Sequence, residues 1–267
     1  MLRALCTPRW LGALVLSALF AALAYQLGFW QYHRYEAKRD NADRVSAHYD
    51  APAKPLGQVL DRQPLPKALE WTRVSATGTF AEPGLLVRAR TRDGDVGFEA
   101  LAPLRLTDGE TVLVDRGWLP YAANASVVPA VPPPPSGSVT ITGWVRQGES
   151  SRDRNLPGEQ LATINLAEAS AKVKGPLLGG YLLLDGPTGV SDAVTPQALG
   201  RPDLGLGPHL AYAYQWWFSV PMGFVLIVLG LRRERRLAAQ GAPGSGQPQA
   251  ESGRPKKKVR IWDEEDA

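Results

Sequence analysis

The pattern of apolar and polar residues divides the chain into two uncharged stretches near its ends and a long polar middle. Residues 10–32 contain no Asp, Glu, Lys or Arg. As a helix rising 1.5 Å per residue, this stretch is about 34 Å long, enough to cross roughly 30 Å of hydrocarbon. The second stretch covers residues 204–231, and its most apolar part begins at Tyr212. We therefore predict transmembrane helices at residues 10–32 and 209–231.

The intervening residues 33–208 alternate in the manner of short strands. The sequence RDGD from Arg92 to Asp95 is typical of a hairpin turn, and one short helix is predicted at residues 166–173. Strands are predicted at residues 73–80, 85–90, 97–104, 111–115, 139–146, 161–164 and 181–185. The predicted fold class is a membrane protein of the α+β type, in which two transmembrane helices flank one β-rich extracytoplasmic domain, a sandwich or an open barrel.

Positive charge predicts the orientation of the two helices. Arginines at 232, 233, 235 and 236 follow the second helix directly, whereas only Arg201 lies close before it. Because cytoplasmic flanks carry the excess of Lys and Arg, the basic and disordered tail at residues 232–267 is predicted to be cytoplasmic. Residues 1–9 then lie on the same side and the β-rich domain outside, in a multi-pass protein of a bacterial cell membrane. The net charge of +4 comes mostly from these flanks, so nucleic acid is not predicted as a partner.

The first apolar stretch has a second interpretation, as a secretory signal peptide. Arg3 and Arg9 precede it, and Ala22-Leu23-Ala24 resembles a small-residue cleavage site. The apolar residues continue past this point to Trp30, farther than a cleaved segment usually extends. A retained helix is therefore favoured over a cleaved one.

Cysteine and histidine usage argues against several kinds of chemistry. Cys6 is the single cysteine, so the extracytoplasmic domain is predicted to have no disulfide and no thiolate pair. The histidines His33, His48 and His209 are too dispersed to suggest a metal triad. The chain also lacks the Gly-x-Ser-x-Gly, His-Glu-x-x-His and phosphate-loop motifs. We therefore predict that the protein is not an enzyme.

One histidine stands beside four large aromatic residues, in the sequence PHLAYAYQWW at residues 208–217. If a helix begins near the proline, one of its faces carries His209, Tyr212, Ala213 and Trp216. A neutral imidazole can ligate haem iron, and aromatic walls beside a small alanine can accept a flat macrocycle. The alternative is a histidine that hydrogen-bonds a loop at the membrane interface, within an ordinary belt of Tyr and Trp.

Four short motifs resemble, in their order and spacing, those of the Surfeit locus protein 1 family, assembly factors of cytochrome c oxidase. They are GFWQYHR at residues 28–34, VDRGWLP at 114–120, GWVR at 143–146, and HLAYA at 209–213 followed by Trp216. The frame of two helices around one outward domain is similar as well. The resemblance extends over about residues 10–235.

This resemblance implies a role in the maturation of a haem–copper cytochrome c oxidase. The implied partners are the oxidase core subunit, other assembly factors and the lipid bilayer. The implied cofactor is haem a, with His209 as the axial ligand of its iron and with a surrounding site formed by Tyr212, Trp216, Trp30, Gln31 and Arg34. Arg34 would pair either with a haem propionate or with a lipid phosphate. The alternative function is a membrane-anchored scaffolding β-domain without a cofactor.

Two tryptophans in the motifs have a structural and a functional interpretation. The structural one is favoured, with Trp118 and Trp144 in the core and Asp115 and Arg116 in a local ion pair. The functional alternative makes Trp118 the anchor of a docking surface. The motif glycines at 117 and 143 are predicted at bends or bulges.

Overall fold

The computed structural model describes residues 7–122, 127–152, 154, 156, 158–186 and 196–240. The chain divides into two compact units, one made of Met1–Gly28 with Tyr214–Ala267 and the other of Phe29–Ala213. Cys6 and residues 241–267 lie outside the described residues. The predicted disordered tail began at residue 232, but residues 232–240 are helical.

Three helices contribute to the first unit: the beginning of α1 (Pro8–His48), most of α3 (His209–Ser219), and α4 (Met222–Gln240). Small residues allow the two arms of this unit to approach closely. A Cβ added to Gly28 would lie 2.2 Å from the indole nitrogen of Trp217, and one added to Gly223 would lie 2.6 Å from the hydroxyl of Ser17. Moving along the chain from Ser17 to Gly28 moves the contact in the second arm backwards, from Gly223 to Trp217, so the two arms run antiparallel.

Both apolar stretches form helices long and apolar enough, by length and composition, to cross a membrane. The prediction of two apolar helices flanking a β-rich domain is confirmed at this level. The second is not continuous, because α3 ends at Ser219 and α4 begins at Met222. Pro221 between them has no N–H, and its ring cannot be accommodated in a helix interior. The carbonyl of Trp217 instead accepts from the N–H of Val220 at 3.2 Å.

The first helix continues far beyond the predicted span, to His48. Residues 33–48 are polar but contain no Gly or Pro, and most of them favour helix. Side chains one turn apart also pair, as His33 does with Glu36 at 3.1 Å and Arg39 with Asp43 at 4.0 Å. The polar part of α1 is therefore stabilised by local interactions that a search for apolar residues does not detect.

The second unit contains one mixed sheet of eight strands among its described residues. In chain order the elements are β1 (Lys54–Pro55), β2 (Arg73–Phe80), β3 (Leu85–Arg92), β4 (Asp95–Leu106), β5 (Thr111–Pro120), β6 (Ser138–Arg146), β7 (Gln160–Leu161), helix α2 (Leu166–Ser170) and β8 (Leu177–Leu184). The strands follow the spatial order β1-β2-β6-β8-β5-β4-β3-β7.

An additional pairing between β2 and β4 joins this sheet into a ring. The long strand β4 pairs with β3 along its first half and with β2 near its end, where Gly78 faces Leu106 and Phe80 faces Leu104. The ring therefore runs β2-β6-β8-β5-β4 and back to β2. Of the two predicted architectures, the strand pairing is that of a barrel, and it is closed rather than open.

Aliphatic side chains from all five ring strands fill the interior. They occupy alternate positions, so that one face of each strand is apolar; they are Val74, Ala76, Leu104, Val112, Val114, Ile141, Val145, Leu182 and Leu184. Leu56, Leu60 and Leu65, from the segment before β2, pack against the same cluster. The opposite face of β5 and β8 is covered by β3 and α2, through residues that include Leu113, Tyr181 and Ala169.

The motif residues of β5 and β6 are largely structural, as the favoured interpretation predicts. Trp118 and Trp144 are each 5% exposed, and the indole of Trp118 donates to the carbonyl of Arg90 at 2.8 Å. The predicted pairing of Asp115 with Arg116 is wrong. Because neighbours in a strand point to opposite faces, Asp115 accepts from the N–H of Gly117 at 3.0 Å, while Arg116 donates to the carbonyl of Pro132 at 2.8 Å.

Candidate functional site

A hydrogen bond joins two residues of the sequence motifs that are far apart in the chain. His209 is the first residue of α3, and its Nδ1 lies 2.8 Å from Oε1 of Gln31 in α1. With the amide oxygen of Gln31 facing the ring, as here, Nδ1 is the donor. In a neutral imidazole the other nitrogen, Nε2, then holds a free lone pair. This orientation of the Gln31 amide is compatible with ligation of a metal through Nε2.

The other edge of the His209 ring faces a glycine. Gly207 has φ +63°, in the left-handed region. A Cβ there would lie 3.5 Å from Cδ2 of His209 and 3.6 Å from Nε2, and also 3.5 Å from Nζ of Lys38. The absence of a side chain at residue 207 therefore leaves space beside Nε2, and brings the ammonium of Lys38 into the same neighbourhood.

A shallow pocket lies along the same part of α1. It has a volume of about 400 Å³ and is lined by Arg34, Ala37, Lys38, Asn41, Asp203 and Gly205. The guanidinium of Arg34 stacks over the ring of Trp30, 5.2 Å from its centroid, and Nζ of Lys38 donates to the carbonyl of Gly205 at 3.4 Å. Asp203 accepts from the N–H of Gly205 at 2.8 Å, so its carboxylate is held within its own turn. We call these six residues the α1 pocket.

The last turn of α1 is attached to the barrel by stacked aromatic rings. Tyr49, directly after the helix, stacks on Trp144 with centroids 4.1 Å apart and an interplanar angle of 13°. The indole of Trp144 donates to the carbonyl of Tyr49 at 2.9 Å. Arg201 caps the other face of the tyrosine at 4.7 Å from its centroid. This attachment fixes the position of α1, and with it the depth of Gln31 and the α1 pocket, relative to the barrel.

A second polar cluster is buried between β3, β4 and β5. Arg90 donates to Glu99 at 2.5 Å and to Glu149 at 2.8 Å. The carboxyl of Asp115 is almost completely inaccessible, at 1% exposed. Burial, followed by the nearby charge of Glu99, raises the pKa of Asp115 well above its ordinary value, although the bond from Gly117 opposes this shift. The cluster is separate from the His209 contact, and its hydrogen bonds join β3 to β4 and to the segment after β6.

Comparison with known proteins shows the family of the chain. The family model described as the SURF1 family matches residues 18–219. The SURF1-like proteins of Mycobacterium bovis and Mycobacterium tuberculosis are each 33% identical over 258 residues, which span 91% of this chain and 92% of the relative. The chain belongs to the SURF1 family. A SURF1-like protein of Rickettsia felis is 25% identical over 216 residues, 78% of this chain and 91% of its own length.

The SURF1 match confirms the family resemblance inferred from the sequence motifs, and it covers the residues of the candidate site. It contains both partners of the contact between Gln31 and His209, the α1 pocket, and the whole barrel. It ends at the last residue of α3 and so excludes α4. The SURF1 match therefore covers most of α1, the whole barrel and α3.

The structure brings together some of the predicted site residues and leaves others apart. Gln31 meets His209, and Trp30 meets Arg34. Tyr212 lies one turn after His209 and is 45% exposed, whereas Ala213, predicted on the same face, is fully buried. Trp216 lies in the next turn of α3 and is half-buried. The role of each of these residues toward a haem stays a prediction.

Two polar residues of the α1 pocket, Asn41 and Asp203, were not predicted from the sequence. A signal was present for Asn41, because Arg34, Lys38 and Asn41 are spaced at i, i+4 and i+7 and share one face of a helix. The signal was not used because residues beyond 32 were not predicted to be helical. Asp203 carries no such pattern.

Proposed function

We propose that this SURF1-family protein is a non-enzymatic assembly factor for a haem–copper cytochrome c oxidase of a bacterial cell membrane. The family match over residues 18–219 is the observation that carries the proposal. The resemblance implies the oxidase core subunit and other assembly factors as partners. In this function the barrel is the extracytoplasmic part that meets them, and the apolar helices keep it at the bilayer where the core subunit is made.

Charge and helix packing support the proposed orientation. Four arginines between residues 232 and 236 lie on α4 immediately after its apolar part. The same end of the antiparallel pair contains Trp10, whose indole donates to Glu234 at 3.1 Å, and Arg9, which pairs with Glu234 at 3.3 Å. An interfacial tryptophan beside a cluster of arginine is typical of a cytoplasmic membrane face. Both ends of the chain would then be cytoplasmic.

The donor chemistry at His209 fits a haem iron. Gln31 holds the tautomer whose Nε2 has a free lone pair, and Gly207 leaves space beside that nitrogen. When bound, haem would supply an iron that accepts an imidazole nitrogen. Gln31 would orient the ring and raise the basicity of the ligand, as second partners of metal-bound histidines do. Trp30 and Tyr212 would contribute aromatic surface beside the ligand.

The test is the spectrum of the full chain, purified in detergent from cells that synthesise haem a. We expect wild-type protein to carry haem, and His209→Ala to abolish the Soret band or shift it strongly while the protein stays folded and inserted. Gln31→Leu should lower haem affinity roughly 10- to 100-fold, because it removes the partner that fixes the tautomer. The matched control is His33→Ala, which removes an exposed histidine of the same helix that pairs with Glu36.

The same variants, expressed in cells that lack their own copy of the protein, should lower the yield of haem-loaded oxidase in the membrane in the same order. A wild-type protein without haem, or a His209→Ala variant with an unchanged spectrum and an unchanged oxidase yield, would remove His209 from the proposal. An oxidase yield that does not depend on the protein at all would contradict the assembly function itself.

A scaffolding function without a cofactor is the second candidate. It is favoured by the filled interior of the barrel, where Val74, Val112 and Leu182 have no exposed surface and pack against one another. Such an interior is a core and not a ligand cavity. Under this function the oxidase yield would depend on the barrel surface, and His209→Ala would leave the yield unchanged.

A further inference from the structure

We propose that the α1 pocket binds the headgroup of an anionic phospholipid of the phosphatidylglycerol class. The inference relies on the proposed insertion of α1 into a membrane and goes beyond the oxidase function. It starts from geometry: a concave site of about 400 Å³ places a guanidinium, an ammonium and a carboxamide along one face of a helix that emerges from an apolar run.

The depth of the pocket matches the headgroup layer. The uncharged run of α1 ends at Tyr32. At 1.5 Å per residue, Arg34 is attached about 3 Å and Lys38 about 9 Å beyond that point. The polar layer on each side of a bilayer is about 5–7 Å thick. Arg34 therefore lies within the phosphate layer, and the long side chain of Lys38 can reach back into it.

The charge of the pocket favours an anion. Arg34 and Lys38 are exposed and border the cavity, and its one carboxylate, Asp203, is engaged by the N–H of Gly205 at 2.8 Å. The neighbouring acids of α1 have partners outside the pocket: Glu36 pairs with His33, and Asp40 and Asp43 pair with Arg39. The pocket therefore contains two positive side chains and one carboxylate, and the carboxylate accepts a hydrogen bond within its own turn.

The third polar group selects among phospholipids. Asn41 lies at the end of the pocket farther from the apolar run, about 13.5 Å beyond Tyr32 along the helix axis, so it can contact only the outermost part of a headgroup. Its amide can both donate and accept, which suits a hydroxyl group beyond the phosphate. A glycerol headgroup has hydroxyls in that position, whereas phosphatidic acid has none and phosphatidylcholine has a bulky cation that Arg34 and Lys38 would repel. The combination of three side chains therefore favours phosphatidylglycerol.

The experiment measures lipid retention by the full chain. Protein is inserted into vesicles of phosphatidylcholine that contain a minor fraction of phosphatidylglycerol or of phosphatidic acid, extracted gently, and analysed by native mass spectrometry. We expect a retained phosphatidylglycerol at 1:1 stoichiometry. Arg34→Gln and Lys38→Gln should each lower its affinity about fivefold, because each removes one cation at the headgroup layer. Asn41→Leu should lower retention of phosphatidylglycerol and leave that of phosphatidic acid unchanged.

The control is Arg39→Gln, which removes one positive charge of α1 at a residue outside the pocket. Because it also removes the partner of Asp40 and Asp43, it should lower retention slightly, and less than Arg34→Gln does. If Arg39→Gln lowers retention as much as Arg34→Gln, the attraction is a general effect of surface charge and the pocket is refuted. Retention of phosphatidylglycerol and phosphatidylcholine in proportion to their fractions in the vesicles would refute it too. A loss of haem without a loss of lipid in Arg34→Gln and Lys38→Gln would assign the pocket to a propionate instead. Flotation of the vesicles checks insertion first, because failure to insert would contradict the proposed membrane function and not this site.

Discussion

Truncation of Tyr49 tests whether the aromatic stack attaches α1 to the barrel. The ring lies against Trp144 on one face, with centroids 4.1 Å apart, and against the guanidinium of Arg201 on the other, at 4.7 Å. Tyr49→Leu keeps an apolar side chain of moderate size and removes these two ring interactions, together with a tilted contact to Trp71 at 6.1 Å between centroids. The hydrogen bond from Trp144 to the backbone carbonyl of residue 49 does not depend on the side chain and should persist.

The expected loss of stability follows from these two contacts. A stacked aromatic pair contributes about 0.5–1.5 kcal/mol beyond the area it buries. A cation over a ring at a partly exposed site contributes about 0.5–1 kcal/mol. Tyr49→Leu should therefore lower the free energy of unfolding by roughly 1–2.5 kcal/mol. In a domain of this size each kcal/mol corresponds to a decrease in Tm of about 2–4 °C.

Two measurements on detergent-purified protein distinguish local detachment from general destabilisation. Thermal unfolding gives the change in Tm, and amide exchange of the last turns of α1, around Val45, reports whether the helix end separates from the barrel. The control is Tyr121→Leu, which removes a single edge-to-face pair with Phe98 at 5.1 Å and should lower Tm without faster exchange in α1. An unchanged Tm together with unchanged exchange near Val45 in Tyr49→Leu would refute the attachment.

Two further changes test the barrel. Asp115→Asn keeps an oxygen for the N–H of Gly117. Because the pKa of Asp115 is raised in the folded protein, the wild type loses stability as pH rises above the ordinary carboxyl range, and the variant should become more stable relative to wild type over the same rise. Parallel Tm curves of the two proteins above the ordinary carboxyl range would contradict this. Gly143→Ala would place a Cβ 2.4 Å from the carbonyl oxygen of Leu183 in β8, and should cost about 1–3 kcal/mol. Gly57→Ala, with nothing within 4 Å of its Cβ, should leave the melting curve unchanged, and equal effects of the two alanines would refute the close approach of β6 to β8.

The sequence predicted those parts of the fold that are determined by residues close to one another in the chain. The turn at Arg92–Asp95 is one example, because Asp93 and Gly94 adopt positive φ values of +50° and +94°, which these residue types tolerate best. Short strands with apolar residues on one face were found for the same reason. The closure of the ring through β2 and β4 could not be predicted, since it depends on which of many similar strands become neighbours.

In the candidate site, too, local features could be predicted from the sequence and contacts between distant segments could not. The sequence motifs placed Gln31 and His209 in one predicted site, but they did not specify the hydrogen bond between the two side chains, which spans 178 positions of sequence. Pro221 was visible in the sequence and predicts the break before α4, but the uniform apolarity of that stretch outweighed it. Length and apolarity decide that a segment is a helix, whereas proline decides where the helix is interrupted.

The continuity of α1 connects the candidate site to the barrel. Between Gln31 and Tyr49 the helix contains neither Gly nor Pro, so it has no position at which it would readily bend. The two residues are about 27 Å apart along the axis, at 1.5 Å per residue. Tyr49 is fixed by Trp144, and Gln31 by His209, so both contacts can form only with this number of residues between them. One additional residue would move one contact by about 1.5 Å and rotate it by roughly 100°. The length of α1 therefore determines how far Gln31, Arg34 and Lys38 lie from Tyr49 and its contact with the barrel.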